Sequence, residues 1–168
     1  MLKGGCVTQN LTFWICAVIF ACFCFIGFKI WGGYRNRRDF FSDLVRFCDH
    51  LLTEINFSKN TVEQVIHRYI DTYNPQFAEL LLKYSHLLAQ NADITREALH
   101  EFMPRDDVVD FFFELGKHSA HEECAKIKSA RLRFEAQYMT AREKLKLEAS
   151  IYFKICIIVG VGVVILLI

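Results

Sequence analysis

Apolar residues follow two regimes along this chain. At the ends they are continuous: Gly4 to Phe28 and Ile155 to Ile168 carry no charge, and all 19 acidic residues lie between them. About 20 mostly apolar residues cross a bilayer core as a helix. Leu11 to Ile30 supplies them with only Lys29 charged, near its end. Ile151 to Ile168 supplies them if Lys154 draws its amine back to the interface. The pattern predicts transmembrane helices at 11–30 and 151–168, a short non-cytoplasmic N-terminus at 1–10, and one internal domain at 34–150.

Between the ends the apolar residues are periodic, and the period is helical. Phe40, Leu44, Phe47, Leu51 and Ile55, flanked by Phe41, Val45, Cys48 and Leu52, form a broad face with Asp39, Asp43, Arg46 and Asp49 opposite. That predicts a first internal helix from Asp39 to Asn56. Asn60 followed by Glu63 resembles a capping box and opens a second helix through Val65, Ile66 and Tyr69. Asn74-Pro75 stops it and starts a third, which carries Phe77, Leu80, Leu81 and Tyr84 to a polar break at 90–93. A short fourth helix, Thr95 to Phe102, precedes Pro104. Asp106 and Asp107 favour the N-terminus of a fifth, which Gly116 caps. No Pro or Gly interrupts His118 to Ser150, so one long helix should run on into the second span. No alternating strand pattern appears. The fold class is therefore all-α, a bundle of about six helices flanked by two transmembrane helices.

A cleaved signal would have a basic start, a shorter apolar run and a small-residue cleavage site. Here Lys3 is the one N-terminal charge, the run is longer, and bulky Phe20 precedes Ala21-Cys22. Basic residues near the spans set orientation. Lys29, Arg35, Arg37 and Arg38 follow the first span; Arg131, Arg133, Arg142, Lys144 and Lys146 precede the second. The expected topology keeps the middle cytoplasmic and both termini outside, in the cell membrane. Of the seven cysteines, only Cys6 would then meet an oxidising compartment, so no disulfide framework is expected.

Setting aside Lys3 and Lys154, 18 of the 20 Lys plus Arg stand against 19 Asp plus Glu, a net of −1 with signs interspersed. That is not a nucleic-acid footprint. No glycine-rich phosphate loop is present. Gly160-x-Gly162 lies within an apolar run, where small residues let helices approach closely. One cluster holds possible chemistry: His118, His121 and Glu122 share a helical face, with Cys124 nearby, and all are zinc-ligand types. The competing reading is a solvated polar turn at a helix start. The acids Asp106, Asp107 and Asp110 read as dipole-favoured charges rather than a catalytic group. No catalytic residue, cofactor or firm metal site is expected.

The N-terminal span, the basic start to an amphipathic helix, Phe113-Glu114-Leu115-Gly116-Lys117-His118, the charged helix Lys126 to Lys146 and the tail Val164 to Ile168 together resemble the stage III sporulation protein AB family over essentially the whole chain. After Leu115-Gly116 the family pattern has an Asp and, four residues on, a Gln; here those positions hold Ser119 and Glu123. The resemblance implies a cytoplasmic domain similar to type II secretion platform proteins, within a transenvelope channel complex joining mother cell and forespore. It implies as partners a separate cytoplasmic secretion-type ATPase, other membrane and ring-forming subunits, and membrane lipid; homo-oligomerisation stays open. Arg105, Asp106, Asp107, Arg131 and Arg133 are the candidate partner-binding residues. A membrane-anchored adaptor unrelated to sporulation, or a metal-dependent membrane enzyme at the His118 cluster, stays as an alternative.

Overall fold

A computed structural model of the protein describes residues 4–57, 60–90, 94–103 and 105–167. Lys3, the break at 91–93, Pro104 and Ile168 lie outside the described residues. Among the described residues seven α-helices follow in order: α1 Gly4–Phe57, α2 Val62–Tyr69, α3 Pro75–Ala89, α4 Arg96–His100, α5 Asp106–Glu114, α6 Ala120–Lys144 and α7 Ser150–Leu167. A 3-10 turn, Ile70–Thr72, follows α2, and a π turn, Leu145–Ala149, joins α6 to α7. No strand occurs among the described residues.

The expected pair of helices at 11–30 and 39–56 is one uninterrupted helix, α1. Gly32 and Gly33 do not break it. Neither has a positive φ, no proline removes a backbone donor, and an internal glycine costs a helix only about 1 kcal/mol. Among the described residues this is the one helix long and apolar enough to cross a membrane. The expectation of two such helices is not met on those terms. Helix α7 has 18 residues, at the lower end of the range of about 17–25 that spans a bilayer core.

The chain divides into two compact units: residues 1–38 with 139–168, and residues 39–138. In the first, α1 and α7 pack closely at two glycines. A Cβ on Gly27 would stand 3.1 Å from the Phe153 ring and 3.3 Å from Cys156 Cβ; one on Gly160 would stand 3.2 Å from Phe23 Cβ. Gly160 therefore makes the helix contact its setting predicts, whereas Gly162 has nothing within 4 Å. Tyr34 donates to Glu148 Oε2 at 3.2 Å, tying α1 to the π turn.

The second unit has the aromatic core that the periodicity predicts. Phe41, Leu44, Phe47, Cys48 and Leu51 of α1, Ile66 of α2, Phe77, Leu81 and Tyr84 of α3, Leu99 of α4, Phe112 of α5, and Ile127 and Phe134 of α6 are all buried. Phe47 stacks on Phe112 at 5.6 Å. Tyr84 meets Phe112 edge-on at 4.8 Å and donates its hydroxyl to the Phe112 carbonyl at 2.9 Å. Deep burial raises the Tyr84 phenol and pushes the Cys48 thiol up to about 12, so both stay protonated at neutral pH.

The helix ends follow local chemistry with two corrections. The capping box of α2 is Thr61 with Gln64, one residue later than Asn60 with Glu63. Thr61 Oγ1 accepts from Gln64 N at 3.4 Å, and Gln64 Oε1 accepts from Thr61 N at 3.1 Å. Asn60 instead donates to Glu54 at 2.6 Å. Asp43 is not on the solvent face: it is 1% exposed, and its Oδ2 accepts from Asn74 N at 3.0 Å and Asn74 Nδ2 at 2.6 Å. Asn74 is the N-cap of α3 with Pro75 next, as expected, so the buried carboxylate supplies the acceptor that this helix start needs. Gly116, at φ 83°, takes the left-handed position after α5.

Candidate functional site

The four metal-ligand candidates do not converge. His118 Nε2 lies 2.6 Å from Lys126 Nζ, which donates to Glu114 at 3.0 Å and holds that carboxyl below its usual range. Glu122 accepts from Ser119 Oγ at 3.0 Å. Cys124 Sγ turns to Asn56 Oδ1 at 3.7 Å, and His121 lines a shallow groove beside it with Ile55 and Lys128. Among the described residues no three His, Cys, Asp or Glu side chains are grouped to hold a metal ion. The helix start here is a set of separate polar pairs.

The five partner-binding candidates fall into two kinds. Arg105 donates through Nε and Nη2 to both oxygens of Asp107, at 3.0 and 3.3 Å, and lies over the Phe41 ring at 5.4 Å. Gln137 of α6 donates to Asp107 Oδ2 at 2.5 Å, which links α5 to α6. Arg131 reaches Asp49 of α1 at 2.5 Å and Glu135 at 2.9 Å. These three residues brace helices. Asp106 and Arg133 are the two turned outward: the Asp106 side chain is 93% exposed, with His100 Nδ1 3.7 Å away, and Arg133 is exposed and forms no ion pair among the described residues.

Two further buried carboxylates, Glu54 and Glu123, stand outside the residues that the sequence singled out as candidates. Glu54 accepts from Arg68 at 2.7 Å, Tyr69 at 3.0 Å and Asn60 at 2.6 Å, so α1 holds α2 through one acceptor. Glu123 is 6% exposed, and its Oε1 accepts from Gly116 N at 2.8 Å. Beside this network His50 stacks on Tyr69 at 3.9 Å and meets Tyr73 Oη through Nδ1 at 2.6 Å. Burial lowers the His50 pKa, favouring the neutral ring. A helical wheel would have found Asp43 and Glu54. Asp43 stands four residues before Phe47 and Glu54 three after Leu51, so both share the apolar stripe.

These features define an all-helical protein with an apolar helix fit to cross a membrane and a bundle whose polar groups are spent largely on bracing. The stage III sporulation protein AB family profile matches residues 12–168. The chain belongs to that family of sporulation proteins, which is not a known enzyme family. No curated protein and no solved structure matches it.

Proposed function

We propose that the protein is a non-catalytic membrane platform subunit of a sporulation transenvelope complex, which docks a cytoplasmic ATPase at the mother-cell membrane. The observation that carries this reading is the division of apolar surface. Large apolar side chains of α1 and α7, among them Trp14, Phe25, Phe28, Ile158 and Ile165, stand exposed, whereas among the described residues of 39–138 only Leu82 and Leu132 of that class do. Exposed apolar surface on this scale marks contact with lipid or protein. In this reading α7 is a second span beside α1, with its short length met by snorkelling of Lys154 and local thinning of the bilayer. Basic residues flanking both segments keep residues 39–138 in the cytoplasm. Asp106 and Arg133, outward-facing and free of bracing duty, are the charged contacts for the ATPase.

Reporter fusions test the topology. Fusions at both termini should report the outer side, and one inserted at 91–93 the cytoplasm; a cytoplasmic C-terminus overturns the two-span reading. Co-expression with the secretion-type ATPase of the same genome tests docking. Asp106→Lys with Arg133→Glu should leave the melting curve in place and reduce ATPase capture severalfold, since exposed charges add little to folding but set binding register. If the intact protein captures no ATPase, the platform assignment fails.

A further inference from the structure

Helices α5 and α6 enclose a groove of about 320 Å³ lined by Phe111, Leu115, Ile127 and Ala130 together with the charged Asp110, Glu114, Glu123, Lys126 and Arg133. That volume is at the small end of ligand clefts, about 300–1,000 Å³. Most of its charges are already matched. Asp110 holds Arg96 at 3.1 Å, and Glu114 holds Lys126 at 3.0 Å. Lys126, one turn from Glu123 and the nearest cation along the helix, is engaged by Glu114 and His118 instead. Glu123 is the exception. It is nine-tenths buried, its Oε1 is taken by the Gly116 N–H, and its Oε2 is buried with no donor. A buried carboxylate oxygen without a partner is a costly arrangement, and native folds rarely keep one without a use.

We propose that this groove receives a basic side chain, an arginine or lysine presented by a partner protein, whose head group draws the Glu123 carboxylate toward the groove that it lines and donates to Oε2. The apolar lining suits the methylene stem of such a residue, which packs along apolar surface while its charge seeks an acceptor. Arginine fits best, because its planar fork reaches Glu123 while a second N–H remains for Asp110 or Glu114. Arg133 does not oppose entry. It lines the far end of the groove, ten residues and about 15 Å along the helix axis from Glu123. The site does not depend on which protein supplies the residue.

The test uses the full chain in detergent micelles with the Ile127 methyl labelled with carbon-13, titrated with N-acetyl-arginine amide, N-acetyl-lysine amide and, as a contrast, N-acetyl-glutamate amide. The basic compounds should give a saturable shift of the Ile127 methyl at millimolar concentration, and the acidic one none. Glu123→Gln keeps a carbonyl for the Gly116 N–H but removes the charge, and should weaken the basic compounds at least tenfold. Ser129→Trp, on the exposed side of the groove, should abolish the shift without moving the melting curve, and it decides the matter if Glu123→Gln fails to fold. No saturable shift with the basic compounds, an equal shift in Glu123→Gln, or a larger response to the acidic compound overturns the proposal.

Discussion

The two units of this chain are built by opposite rules. Residues 39–138 pack large aromatic side chains inward, with Phe47, Phe77, Phe112 and Phe134 buried and most charges outside, Asp43, Glu54 and Glu123 excepted. Residues 1–38 with 139–168 face large apolar side chains outward and bring α1 against α7 through glycine, at Gly27 and Gly160. In water, burying apolar area stabilises a fold by roughly 25 cal/mol per Å², so a unit built the first way is held by its core. In lipid that force between helices is absent, and close approach of small residues takes its place. That difference in where the apolar side chains face is the ground for the membrane reading proposed above.

The largest way to break the comparison is to place a charge in the core of residues 39–138. Leu44→Asp or Leu81→Asp buries an unpaired carboxylate at a fully enclosed position and should cost several kcal/mol. Cooperative melting by circular dichroism should disappear for residues 39–138. A preserved transition would show that α1 and α3 do not share the core described.

A smaller effect probes the other unit. Gly160→Leu places a side chain where even a Cβ meets Phe23 at 3.2 Å, and overpacking of this kind costs about 1–3 kcal/mol. Gly162→Leu, with open space around it, should be neutral or slightly stabilising, since leucine is the better helix former. Melting in detergent micelles should separate the two substitutions. Equal responses would remove the glycine contact as the basis of the α1–α7 pairing.

The buried carboxylates define a third level. Asp43→Ala removes the acceptor at the start of α3 and leaves the Asn74 N–H without it, a loss of about 1–2 kcal/mol. Asp43→Asn keeps one acceptor oxygen and should recover part of that. If Asp43→Ala melts like the wild type, the residue is not a structural cap.

These residues also show where sequence reading stops. The helices, the Asn74-Pro75 start and the Gly116 cap were legible because each rests on local rules: a 3.6-residue period, proline's missing N–H, glycine's tolerance of positive φ. The continuity of α1 through Gly32-Gly33 was not, since a glycine pair permits either outcome. Asp107 and Arg131 read as free surface charges because their partners, Gln137 for Asp107 and Asp49 for Arg131, lie 30 and 82 residues away. Glu123 lay in view as a departure from the family pattern. Its burial, and the groove beside it, depend on how α5 docks on α6.

The smallest predicted effect is a pH dependence confined to residues 39–138. His50 is partly buried between Tyr69 and Tyr73, and burial lowers its pKa below the ordinary 6.5. The unfolded chain therefore binds a proton at higher pH than the folded one. Its contribution to stability is complete above about pH 6.5 and declines as pH falls through the window below that value, because protonation favours the unfolded state. Glu79 and Glu114, held low by Lys83 and Lys126, are lost in the same direction but only in the more acidic range where carboxyls titrate. Chemical denaturation at pH 7.5, 6.5 and 5.5 should thus show a modest loss of stability toward the acid end. His50→Phe keeps a ring on Tyr69, forfeits the contact to Tyr73, and should flatten that slope while lowering stability at pH 7.5. An unchanged slope in His50→Phe would move the titration to another histidine and leave the Tyr69–His50–Tyr73 stack as packing alone.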